Sequence, residues 1–121
     1  MNETILKDRF LRFACSVYNF TKEFPNEPGY KVVTYQILKS SSSSAANYHA
    51  ACRGKSTQDF INKLRIVEEE LDETIYWFKY LIGIDRKWVE RIEPLNNEGN
   101  ELLAIIIASK KTLLNKKNQR A

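Results

Sequence analysis

The chain is poor in the residues that most small-molecule chemistry needs. It has one histidine, His49, and two cysteines, Cys15 and Cys52, among 121 residues. A single histidine excludes the Glu-x-x-His di-iron sites of helical bundles, which draw a histidine from each of two helices. It also excludes the four-helix nucleases that place a histidine shortly after an arginine, because the only arginines before His49 are the distant Arg9 and Arg12. The cysteines lack CxxC spacing and are too few for a disulfide framework, so both read as small buried apolar residues. There is no GxGxxG, P-loop or HExxH pattern. Four glycines and three prolines are too few for a turn-rich sandwich or barrel. No apolar run approaches the roughly 18 residues of a membrane span, the longest being Leu102–Ala108. Glu3, Lys7, Asp8, Arg9 and Arg12 interrupt the first twenty residues, so they do not read as a signal peptide. The cytosol is the expected compartment.

What is present is globular composition, 43% hydrophobic and 28% charged, in a length that suits one domain over residues 1–121. The formal charge of +4 is unevenly spread. Residues 1–55 carry eight Lys/Arg against four Asp/Glu, residues 56–105 six against eleven, and residues 106–121 five against none. The basic tip (Lys110, Lys111, Lys116, Lys117 and Arg120) has two readings. It is a helix end whose cations complement the macrodipole, or it is a phosphate-binding tail.

Helical periodicity dominates. Leu6, Phe10, Phe13, Val17, Phe20 and Phe24 recur at steps of four and three and predict a helix over about 3–22, with Asn2 as N-cap. Phe60, Leu64, Val67, Leu71, Thr74, Phe78 and Leu81 predict another over 56–82, with Ser56 and Asp59 opening it and Gly83 stopping it. A fourth helix is expected over 94–117, with Pro94 in its first turn, Asp85–Ile92 forming one or two extra turns before it, and Leu95, Leu102, Ile106 and Leu113 in one row. The stretch 30–53 is ambiguous, because Ser40–Ser44 alone reads as a linker. Val33 and Ile37 before it and the alanines after it keep helical register, and two stubs would be too short to hold. A continuous helix of small residues is the favoured reading. Four apolar stripes joined by short turns lead to an all-α, antiparallel up-down four-helix bundle.

The third helix carries a second row. Asp59, Lys63, Ile66, Glu70, Glu73, Trp77 and Tyr80 step by four and three beside the apolar row. Three readings stay open: a solvated flank, an oligomer interface anchored by Trp77 and Tyr80 with the acids paired to Arg53 or Lys63, or a metal or acid/base site on Glu70 and Glu73. The interface is favoured, because large aromatics are costly to leave wet and two acids are a thin donor set for a metal. The Tyr76–Tyr80 stretch could stack bases, but on a helix its side chains point in several directions, with Phe78 in the core row.

Asn47-Tyr48, Ala51, Arg53, Ser56, Asp59-Phe60, Lys63-Leu64, Glu70, Glu73-Thr74 and Tyr76-Trp77, with Phe24-Pro25 and Leu102-Leu103 outside them, resemble the four-helix bundle proteins encoded in 23S ribosomal RNA intervening sequences. Where that family commonly has Glu three residues after the Asn, this chain has Ala50. The resemblance implies a small bacterial bundle with no agreed catalytic residues. The family is similar to the accessory variability proteins of diversity-generating retroelements, which form barrel-shaped homopentamers and bind nucleic acid alongside a reverse transcriptase. The resemblance makes Asn47, Arg53, Ser56, Lys63, Glu70, Glu73 and Trp77 signature residues, with Asn47 and Arg53 opposite the acids. The combined expectation is a non-enzymatic, self-assembling accessory protein without cofactor or metal. Its partners would be copies of itself, in a pentamer, and RNA or an RNA-handling protein, not a membrane. The contrasting readings are a metal-dependent enzyme on Glu70 and Glu73 and a plain protein-interaction adaptor.

Overall fold

The structure, a computed structural model, describes the backbone of residues 1–120 and the side chains of residues 1–119. Its elements are α1 (Glu3–Thr21), α2 (Pro28–Ala51), α3 (Thr57–Ile84), a 3-10 turn (Arg86–Trp88) and α4 (Val89–Arg120); there is no strand among the described residues. Asn2 opens α1 by accepting the Ile5 N–H at 2.8 Å, and Ser56 opens α3 by accepting the Asp59 N–H at 3.1 Å. Pro28 stands at the start of α2, where its fixed φ suits a first turn and its missing N–H leaves no gap.

Two helix boundaries differ from expectation. Gly83 does not stop α3. It keeps a negative φ, the helix runs to Ile84, and Asp85 breaks it in an extended conformation. The Asp85 carboxylate then accepts the Lys87 N–H at 2.9 Å and so starts the next turn. Pro94 does not begin α4, which starts at Val89 and runs through it. The cost is the absent hydrogen bond that a residue there would give to the Glu90 carbonyl, together with the crowding of the proline ring against that carbonyl.

The serine tract is helical throughout, and the sequence explains its tolerance of so many poor helix formers. Ser40, Ser41 and Ser44 are buried, and their short side chains bring α2 close against α3. The Ser40 hydroxyl meets the Thr74 hydroxyl at 2.7 Å, and Thr74 donates to the Glu70 carbonyl at 2.9 Å. Ser44 donates to the Ser41 carbonyl at 2.7 Å. The tract's buried polar atoms are thereby satisfied.

Helices adjacent in sequence are adjacent in space, and α4 closes against α1. Contacts along α1/α2 and along α3/α4 run in opposite senses. Phe10 stacks on Tyr48 while Phe24 meets Tyr30. Glu68 pairs with Lys110 and Gln58 with Lys117. The core holds the expected rows, with Phe10, Phe20, Leu64, Leu71, Phe78, Leu102 and Ile106 almost inaccessible. Phe20, Phe24, Tyr30 and Trp88 fill one end, where the Trp88 Nε1 donates to the Tyr30 hydroxyl at 3.1 Å.

Candidate assembly face and basic pole

The second row of α3 borders the α2/α3 seam. Asp59, Ile66, Glu73 and Tyr80 are exposed, while Lys63, Glu70 and Trp77 are half-buried. Trp77 lies edge-on to Tyr76 and Tyr80, with ring centroids 5.0 and 5.3 Å away. Its Nε1 is shielded from solvent and has no hydrogen-bond partner, an unsatisfied donor that a folded chain rarely leaves. Three of the five residues 76–80 thus gather into one patch, while Phe78 turns into the core. Their planes are inclined by 43° to 76°, so the patch is no parallel stacking platform.

The acids beside this patch are uncomfortable. Burial raises the Glu70 carboxyl above its ordinary range, and the charges of Glu73 and Glu69 push it further, while Lys39 pulls it back. The cation that acts on Glu70 thus comes from the middle of α2. Among the described residues Arg53, Lys63, Glu69, Glu70, Asp72 and Glu73 form no ion pair. Arg53 is exposed in the turn after α2. Asn47 donates to the Ser43 carbonyl and hydroxyl at 2.9 and 3.0 Å, inside its own helix. Ser56 serves as the α3 cap. The signature residues therefore lie along one seam and its lower turn without converging on a point.

Sequence reasoning missed the α2 half of this face. Val32 is 59% and Tyr35 65% exposed, and with Lys39 they step by three and four along the outer side of α2. The signal was present in that spacing, one residue out of phase with the buried Val33 and Ile37.

Two lysines of the basic tip reach across to α3. Lys110 pairs with Glu68 at 2.7 Å, both side chains largely covered, and Lys117 reaches Gln58. Lys111 and Lys116 are exposed. The side chain of Arg120 lies outside the described residues. Lys116 and Lys117 border a cavity of about 450 Å³ with Ser56, Thr57, Gln58 and Leu113. Arg53 and Lys55 stand in the adjoining turn, so the cations of two chain segments share one pole. Burial, more than any neighbouring charge, raises the Tyr48 phenol well above its usual range and pushes the Cys52 thiol up as well, which suits neither to nucleophilic work. Cys15 is exposed, not buried; its position on α1 falls opposite the Phe10–Phe13–Val17 row. Among the described residues no three His, Cys, Asp or Glu side chains gather as a metal site, and no helix is long and apolar enough to cross a membrane.

These features define an all-α four-helix bundle whose distinctive side chains lie on its surface rather than round an internal pocket. Residues 3–108 match the 23S rRNA-intervening sequence protein family, and the chain belongs to that family. It is also similar to a solved Bacteroides thetaiotaomicron VPI-5482 protein, described as of unknown function and from the S23 ribosomal protein family. The two are 37% identical over 92% of this chain and 99% of that one, with a TM-score of 0.83. No curated protein matches the chain.

Proposed function

We propose that the protein is a non-enzymatic, cytoplasmic scaffold. It assembles through the acidic–aromatic face of α3 into a closed ring, of five subunits as the resemblance implies, and offers RNA or an RNA-handling partner the basic pole. The observation that carries this reading is the Tyr76–Trp77–Tyr80 patch. It gathers large aromatics, two of them exposed, edge to face, beside carboxylates that lack ion-pair partners within the protomer. Aromatic anchors flanked by polar groups are what hot spots at subunit contacts are made of. Lys111, Lys116, Arg53 and Lys55 support the second half of the reading. They lie at one end of the bundle, and assembly would multiply them into a positive collar.

The test is the solution mass by light scattering. Trp77→Ala removes a side chain that is only half-buried, so the protomer stays folded while the assembly loses its anchor. The expected outcome is a wild-type oligomer and a Trp77→Ala protomer. An unchanged oligomer in the variant sinks the assignment of this face.

A further inference from the structure

The α3 face needs a complement, and the rest of the surface narrows the choice. A second α3 face would set Glu69, Glu70 and Glu73 against their own copies. The outward side of α4 is also acidic along its first half, with Glu90 and Glu93 exposed and Glu101 held by Arg9 at 3.1 Å. The outward side of α1 differs in both respects. Leu11, Cys15, Tyr18 and Lys22 step by four, three and four along it, with Leu11 51% and Tyr18 53% exposed. Lys7, Arg12 and Lys22 outnumber Glu3 and Asp8 on the solvent-facing part of this helix and its cap, and Asp8 is already held by Arg12 at 2.9 Å. Lys22 rests over the Tyr18 ring, 4.9 Å from its centroid, and so lies along the stripe.

We propose that this α1 stripe is the surface a second copy of the chain lays on the α2/α3 face. Lys22 meets Glu70 and Glu73, while Leu11 meets Trp77 and Tyr80. The inference rests on the assembly reading above and adds the identity and sense of the docked element. Leu11 to Lys22 spans about 16 Å of helix and Glu70 to Tyr80 about 15 Å, at 1.5 Å per residue. The order of side chains fixes the direction. The cation ends the α1 stripe and the acids begin the α3 stripe, so charge meets charge and apolar meets apolar only when α1 runs antiparallel to the neighbour's α3. Each protomer then uses two different faces, a heterologous contact that closes into a ring or runs on as a filament.

Charge reversal tests the pairing. Lys22→Glu and Glu73→Lys each fall to protomer mass in light scattering, with helicity by circular dichroism unchanged, and the double variant regains the wild-type mass. In a Cys52→Ser background, Cys15 alkylates slowly in the assembly and at the rate of a free thiol once Lys22→Glu has dissociated it. If Trp77→Ala dissociates the oligomer while Lys22→Glu does not, α1 is not the partner and the α3 face stands. Failure of the double variant to reassemble likewise overturns the pairing. A monomeric wild type overturns this inference and the assembly reading together.

Discussion

Glu70 sits where two demands meet. Its backbone carbonyl anchors the Ser40–Thr74 hydroxyl chain inside the α2/α3 seam, and its carboxylate stands half-buried just outside, one turn from Glu73. Because its folded-state pKa is raised, the charged form is disfavoured in the fold relative to the unfolded chain. Stability attached to this group is present below the ordinary carboxylate pKa and is lost as pH rises through the higher folded value. Glu70→Gln removes that loss. In the Trp77→Ala background, chosen to keep the proposed subunit contacts out of the comparison, urea unfolding is expected to give equal stabilities in acid. Near neutral pH the Gln variant is expected to be more stable by about 0.5 kcal/mol, the size of a like-charge pair on one helix face. A Gln variant that gains nothing at neutral pH contradicts the account. None of this was legible in the chain alone, where Glu70 and Glu73 are two acids three residues apart; the strain depends on how closely α2 approaches.

Whole helices read more easily than their ends. The four rods and their inward rows were visible because every third or fourth residue must be apolar to face a neighbour. Ser40–Ser44 was readable only through the register of Val33 and Ile37 before it, since serine's own preference opposes a helix. The start of α4 was obscured because a proline is usually a boundary. Here Trp88 and Ile92, both buried, hold the turn ahead of Pro94 in place. That yields a prediction for the element. Pro94→Ala restores the bond to the Glu90 carbonyl and relieves the ring, a gain near 3 kcal/mol in a helix interior. Greater freedom in the unfolded chain takes back under about 1 kcal/mol. Thermal or urea unfolding is expected to show stabilisation of about 2 kcal/mol, and a destabilised variant would mean that the proline shapes the α1/α4 groove that it lines with Arg9, Phe13 and Leu95.

At the scale of the whole molecule, charge is sorted by position along the bundle. Acids crowd α3 and the first half of α4, and cations collect at the pole where α3 begins and α4 ends. The chain order showed the acidic middle and basic tip. It could not show that Lys110 and Lys117 turn inward to Glu68 and Gln58, because that follows from how far α4 extends beside α3. Deleting the tip would therefore remove bundle contacts, and Lys111→Ala with Lys116→Ala is the cleaner probe of RNA binding. The double variant is expected to bind RNA more weakly. Its affinity should fall less steeply with salt, the log–log slope shrinking by about 1.4 for a single strand if each lysine neutralises one phosphate. Equal binding and equal slope would remove these lysines from the interface. The two tryptophans divide the same molecule in another way. Trp88 is sealed between Tyr30, Phe20 and Phe24, while Trp77 is half-buried at the surface, so the chain contains two indole fluorophores in different settings. Emission from Trp88 follows whether a rod bundle exists at all, emission from Trp77 follows whether it has found company, and a variant lacking either one leaves the other as a single-colour witness.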